Sequence, residues 1–213
     1  MKRSSVVGLL MLCSLVAFGQ NKGDKYVAAS FGASFGSQTY QSYDGTYTTS
    51  QNSPLTTTLC VQGEFGYFIA DNIRFALAIG VPFSSTPREL SGNSWLMSKT
   101  ISFQINPNIA YYFRLTDSLY YTPEVGFTYE FGSVKEDMTA SATYSLDYSG
   151  WDIYANLLAL EFRVNSKFAI GVGFGSIGYS DGKITDKGSA NYFSTSQFRC
   201  NLNSGSVHFR FYL

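Results

Sequence analysis

Between Leu59 and Phe83 apolar residues fall on every second position: Leu59, Val61, Phe65, Tyr67 and Ile69, then, past Ala70-Asp71-Asn72, Ile73, Phe75, Leu77, Ile79, Val81 and Phe83. Between them stand Cys60, Gln62, Glu64, Gly66 and Phe68, then Arg74, Ala76, Ala78 and Gly80, mostly polar or small. A period of two is the strand period, because successive side chains point to opposite faces, so the stretch predicts a hairpin with one apolar face. Each arm is long enough, at about 9 to 11 residues, for a tilted strand to cross the hydrocarbon of a bilayer.

The same lettering recurs along the chain. Val27, Ala29, Phe31, Ala33 and Phe35 predict a first strand, opposed by Ala28, Ser30, Gly32, Ser34 and Gly36. Ile101 to Phe113 and Leu119 to Phe131 predict a fourth and fifth; Trp151 to Val164 predicts a sixth, with an inserted residue near 157–159 where the parity changes. A seventh begins at Phe168, and an eighth runs to Leu213 with a second irregularity near 203–206. Pro107 and Pro123 each remove a ladder donor, which predicts local bulges. Three variants of one tight turn, around Asp71-Asn72, Thr116-Asp117-Ser118 and Asn165-Ser166-Lys167, alternate with long polar stretches at 37–54, 84–98, 133–149 and about 181–195. Asp44-Gly45 inside the first of these is a hairpin signal, so part of it is expected to extend the strands beyond the membrane. The expected fold is all-β: an eight-stranded antiparallel up-and-down transmembrane barrel with short periplasmic turns at one end and long extracellular loops at the other.

Alternation alone does not say whether the apolar face looks outward to lipid or inward to a ligand. The loop asymmetry and the inward Gly, Ala and Ser of strands one and seven, which flank the large inward Arg199, Asn201, Asn203, His208, Arg210 and Tyr212 of the last strand, decide for lipid, and composition agrees. Charged residues make up 14% of the chain and aromatic residues 17%, against about 25% charged in an ordinary soluble domain. The aromatics gather at strand ends, with Tyr67, Tyr111, Phe113 and Tyr121 at the short-turn end and Phe35, Tyr129, Phe131, Trp151 and Tyr179 at the other, as interfacial girdles do. Lys2 and Arg3, the apolar run from Val6 to Phe18 and the small-x-small pattern Ala17-Phe18-Gly19 predict a cleaved secretory signal over 1–19 and a barrel over 20–213. Beyond Phe18 no run reaches the roughly 18 apolar residues of a membrane helix. Losing Lys2 and Arg3 leaves a slightly acidic domain, which gives no reason to expect nucleic acid. Cys60 and Cys200 have opposite parity on strands separated by strand one, so no bridge is expected between them.

The stretch Asn106-Pro107-x-Ile109-x-Tyr111-Tyr112-Phe113, leading into Leu115-Thr116-Asp117-Ser118-Leu119, and the alternating terminus Val207, Phe209, Phe211, Leu213 resemble the small single-chain outer-membrane β-barrels of Bacteroidetes-type bacteria, related in architecture to the OmpA-type transmembrane domain. The resemblance covers the whole mature chain. It implies export to the cell outer membrane through the Sec pathway, outer-membrane lipids as surroundings, and recognition of the terminus by the outer-membrane assembly machinery. It implies no activity, because the group is defined by architecture.

On the inward parity lie Glu64, Glu124, Glu130, Asp152 and Glu161 against Arg74, Arg114, Arg163, Arg199 and Arg210. They could line a selective pore, but an eight-strand barrel is just wide enough for side chains to fill, which favours a salt-bridged core. Glu64, Arg74, Arg114, Glu124, Glu161, Arg163 and Arg210 are expected to form that network near the short-turn end. His208, the only histidine, faces inward two residues from Ser206, a pairing some lipid-modifying barrels use, but it belongs to the short-turn end and reads as an interior hydrogen-bonding residue. No spacing suggests a metal or cofactor site. The long stretches carry Tyr40, Tyr43, Tyr47, Trp95, Tyr144, Tyr148 and Tyr192 among small polar residues, either as a contact surface through 37–54 and 133–149 or as hairpin extensions. The leading expectation is a non-enzymatic barrel with a structural or surface-contact role; a narrow porin-like channel is the alternative, and an envelope-lipid enzyme a distant third.

Overall fold

The computed structural model describes residues 21–36, 39–43, 48–52, 55–90, 94–139, 142–186 and 192–213. The expected leader over 1–19 and the Asp44-Gly45 turn lie outside them. The strands are β1 Lys25–Gly36, β2 Thr39–Tyr43, β3 Thr48–Asn52, β4 Thr56–Ala70, β5 Ile73–Leu90, β6 Ser94–Tyr111, β7 Phe113–Arg114, β8 Leu119–Tyr121, β9 Glu124–Thr139, β10 Ala142–Asn156, β11 Leu158–Arg163, β12 Phe168–Asp186 and β13 Tyr192–Tyr212.

Pairing runs β10-β9-β6-β5-β4-β1-β13-β12, and β12 pairs back to β10, so the sheet closes on itself as an eight-membered antiparallel ring. Short β7, β8 and β11 continue β6, β9 and β10 toward the turns. Closure removes sheet edges, the condition for strands to span a bilayer. Alternation sets the faces: Val61, Phe65, Leu77, Ile79, Ile105 and Val125 are exposed on the outside, while Tyr26, Phe68, Arg74, Ala76 and Glu161 are almost wholly buried within.

The three short turns and the C-terminus share one end. Asp71-Asn72 is a two-residue hairpin turn with Asn72 at φ 65, a left-handed conformation that Asn tolerates. In the second turn Thr116 Oγ1 accepts from the Leu119 amide at 3.1 Å, and in the third Asn165 Oδ1 accepts from the Phe168 amide at 2.9 Å, the same side-chain-to-backbone closure made by two residue types. The Arg163 amide donates to the Ser118 carbonyl at 2.7 Å and the Tyr212 amide to that of Lys167 at 2.8 Å, lacing the turns together.

Most of the polar stretches beyond the girdle are strand. β5 and β6 stay paired to Leu90 and Ser94, β9 and β10 to Thr139 and Ala142, and β12 and β13 to Thr185 and Tyr192, while β2 and β3 form a separate hairpin. The long loops expected at 37–54 and 133–149 are therefore largely hairpin extensions, rich in Thr, Ser and Tyr, whose backbone groups pair with each other above the apolar band.

The irregularities are informative. Asn156 faces Glu124 but Leu160 faces Tyr121, so the β10–β11 wall holds one extra residue, and Leu157 and Leu158 are both exposed. Phe174 faces Gly205 but Ser176 faces Asn201, with Gly175 at φ 67 taking up the bend. Pro107 departs from expectation. It faces Leu77 in unbroken register, and the ladder to β9 skips it without a shift, passing from Ile105–Tyr129 to Asn108–Gly126. A missing amide costs one rung there and does not require an inserted residue. Pro123 instead falls in the gap between β8 and β9.

Candidate functional site

The inward parity brings Glu64 of β4, Arg74 of β5, Glu124 of β9, Glu161 of β11 and Arg210 of β13 into one buried layer across the lower lumen. Arg74 bonds to Glu124, to Asn108 Oδ1 at 2.5 Å, and faces Glu64 at 3.6 Å. Arg210 Nη1 bonds to Glu161 at 2.7 Å, and its Nε lies 3.8 Å from Glu64. Glu64 thus sits between the two guanidiniums and ties the pairs into one network.

Tyrosines complete it. Tyr26 donates to Glu64, Tyr112 to Glu161 at 3.0 Å, Tyr212 to the other Glu161 oxygen at 2.6 Å, and Tyr154 to Glu124 at 3.0 Å. The Tyr26 ring also receives the Arg74 and Arg210 guanidiniums at 5.9 and 5.5 Å from its centroid. Desolvating a charge costs several kcal/mol unless a partner and hydrogen bonds offset it; each carboxylate here has a guanidinium and at least one tyrosine hydroxyl, while Arg74 Nε and Arg210 Nε stay buried without a hydrogen-bond partner among the described residues. Below the ions Phe68 packs edge-on against Tyr112 at 5.0 Å, with Tyr120 beyond at 6.0 Å, an aromatic floor at the turn end.

The rings fit because glycines face them. Gly66 is the ladder partner of Tyr26, and a Cβ there would stand 2.0 Å from the Tyr26 ring; Gly126 faces Tyr154 in the same way, at 2.5 Å. Small residues opposite large ones are how a narrow barrel fills its interior.

Two further expected members make other contacts at the turn end. Arg114 bonds within its own turn, to Asp117 at 2.5 Å and to the Thr116 carbonyl at 3.1 Å. Arg163 lies over the Tyr212 ring, 4.3 Å from its centroid. Sequence reasoning passed over Tyr26, Tyr112, Tyr154, Asn106 and Asn108, although their parity is that of Glu64 and Glu124. His208 Nε2 lies 3.0 Å from Ser206 Oγ, as the sequence suggested, but the space beside them is about 20 Å³, room for a water molecule.

The upper lumen is different. Asp152 and Arg199 pair at 2.8 Å, Ser102 donates to Glu130, and Asp152, Arg199 and Glu130 with Tyr148, Thr128 and Gln197 border a cavity of about 220 Å³. Tyr148 is the loop aromatic of which the described residues give a surrounding; the side chains of Tyr40, Tyr43, Tyr47, Trp95, Tyr144 and Tyr192 lie outside them. On the terminal strand Val207, Phe211 and Leu213 are exposed and Phe209 is half-buried, 6.5 Å from Phe31 between ring centroids. Cys60 and Cys200 are free thiols. Among the described residues no helix is long and apolar enough to cross a membrane, and no group of histidine, cysteine and carboxylate could hold a metal ion.

No protein-family model matches the chain, and no curated protein matches it. Among solved structures it is similar to the outer membrane protein OprG from Pseudomonas aeruginosa, at 14% identity over 92% of this chain and 98% of that one, with a TM-score of 0.52. It also matches Ail, the attachment invasion locus protein of Yersinia pestis, at 10% identity over 90% and 96% of the two chains with a TM-score of 0.38. The N-terminal β-barrel domain of Pseudomonas aeruginosa OprF matches at 13% identity over 91% and 100%, with a TM-score of 0.36. The likeness to OprG is one of fold: an antiparallel β-barrel of the outer-membrane kind.

Proposed function

We propose that this chain is a non-enzymatic outer-membrane barrel, of the OmpA-type group found in Bacteroidetes-type bacteria, that serves the envelope structurally or by contacts made through its extracellular hairpins. The observation that carries the reading is the layer formed by Arg74, Arg210, Glu64, Glu124 and Glu161 with their tyrosines, which occupies the lower lumen. A lumen filled there leaves little cross-section for a solute, so the exposed chemistry of the molecule is its outer wall and its hairpins. The water-sized space at His208 and Ser206 argues against turnover of a lipid at that pair. In this reading residues 1–19 direct export through the Sec pathway, Val207, Phe209, Phe211 and Leu213 are read by the assembly machinery, the short turns are periplasmic, and the hairpins spanning 37–54 and 133–149 meet any extracellular partner. A narrow porin-like channel is the alternative, and the 220 Å³ upper cavity is the observation in its favour.

The test is topological and functional together. Single cysteines at Tyr43 and Ser145 should react with an impermeant thiol reagent on intact cells, and cysteines at Asp71, Thr116 and Ser166 should not, in a background with Cys60 and Cys200 replaced. Cells carrying the barrel with both hairpins shortened to tight turns should keep folded barrel in the outer membrane and lose surface binding. Labelling at Thr116 but not at Tyr43 would invert the barrel, and unchanged binding by shortened hairpins would remove the contact role.

A further inference from the structure

Just beyond the apolar band, one row of facing residues crosses four neighbouring strands on the outer wall: Ser85 of β5 faces Lys99 of β6, Lys99 faces Lys135 of β9, and Lys135 faces Ser145 of β10. The outward parity is that of Phe83, Ile101 and Phe131, and both lysines are exposed. Directly opposite residues on antiparallel strands have Cβ atoms about 4.5 to 5.5 Å apart, and like charges so placed repel. Among the described residues neither lysine has an ion-pair partner; Asp147 lies one row lower, facing Ser133, diagonal to Lys135. The row therefore presents two ammonium groups flanked by two hydroxyls.

Its height identifies what would answer that charge. Lys99 is two positions past Ile101, about 5 Å along the barrel axis for a tilted strand. The apolar side chains below it, Ile101, Phe103 and Phe131, are exposed, and Phe103 packs on Phe131 at 5.4 Å between ring centroids. Residues at that level of a barrel wall meet lipid headgroups, where phosphates sit.

We infer that Ser85, Lys99, Lys135 and Ser145 form a binding site on the outer wall for the phosphate of a membrane lipid. The two ammonium groups share the anion, which converts a repulsive cross-strand pair into a bridged one, and the hydroxyls at either end donate to its remaining oxygens. This rests on the membrane reading above, because only a lipid wall brings phosphate to that row. It adds to that reading a specific lipid contact, on the opposite side of the wall from the lumen and its plug.

The test uses the full barrel reconstituted in phosphatidylcholine vesicles with spin-labelled phosphatidic acid or spin-labelled phosphatidylcholine, reading the fraction of each label immobilised on the protein. The wild-type protein should select phosphatidic acid, Lys99→Gln should weaken that selection about fivefold, and adding Lys135→Gln about fivefold again, from the roughly 1 kcal/mol each surface lysine contributes at an anionic membrane. Lys99→Glu should abolish selection while keeping the fold, since it places opposite charges across the ladder. Equal selection by the double glutamine variant would overturn the site, as would loss of selection on adding millimolar inorganic phosphate, which would make it a site for a free anion. Immobilisation of neither label would instead mean that the chain does not sit in a bilayer, a failure of the membrane reading and not of the row.

Discussion

The lower and upper halves of the lumen obey the same inward parity and are bounded by the same ring of strands, yet they are built differently. The lower half receives Tyr26, Phe68, Arg74, Tyr112, Glu161 and Arg210, side chains long enough to meet at the axis, all almost wholly buried. The upper half mixes small residues such as Gly150, Ser180 and Gly182 with Tyr148, Asp152 and Arg199, and between them a cavity of about 220 Å³ remains. In a barrel of fixed strand number, how completely the inward side chains fill the cross-section decides what is closed. The exposure of the ions follows: Arg210 and Glu161 are sealed, whereas the Arg199 side chain keeps 45% of its surface beside Asp152.

The sharpest way to break the comparison is to remove one cation from each half. Arg210→Ala strands Glu161 and weakens the hold on Glu64, and breaking a buried pair on one side costs about 3 to 5 kcal/mol. Arg199→Ala removes a half-exposed pair, worth about 0 to 1 kcal/mol. Reversible urea unfolding in vesicles, followed by tryptophan fluorescence, should separate them; equal losses would mean that the halves are energetically alike.

A second pair of variants sharpens it through packing. Gly66→Ala puts a Cβ 2.0 Å from the Tyr26 ring, whereas Gly32→Ala puts one 3.8 Å from its nearest neighbour, Cys60 Cβ. The first should cost about 1 to 3 kcal/mol as an overpacked core, and the second should leave the unfolding midpoint nearly unchanged. A smaller effect is expected from Tyr26→Phe, which keeps the ring and deletes its hydroxyl: about 0.5 to 1.5 kcal/mol, since Arg74 and Arg210 still face Glu64.

The outer wall was legible in the sequence because lipid enforces an apolar period of two along each membrane-spanning strand. The bulge at Leu157-Leu158 was legible for the same reason: two consecutive outward residues break that period. The polar hairpins were less so, because above the membrane both faces of a strand meet water and the alternation that marks it fades. Thus Ser84 to Ser98 read as a stretch between strands, although the ladder continues as far as Leu90 and Ser94. In the lumen, parity told which residues point inward but not how far they reach. Phe68 was grouped with the small or polar face, and Tyr112 was hidden between Tyr111 and Phe113. Arg114 was assigned to the network by its parity and spacing, but its backbone lies in the last two-residue strand before a turn, where Asp117 and the Thr116 carbonyl are nearer.

The central claim is that the lower layer closes the barrel, and current through purified protein in a planar bilayer tests it most directly. The unmodified barrel should show little steady conductance, and the double variant Glu64→Gln, Glu124→Gln, which leaves Arg74 and Arg210 short of carboxylates, should unfold more readily or admit ions. Large, stable single-channel steps from the unmodified protein would contradict the plug and make the narrow channel the better reading.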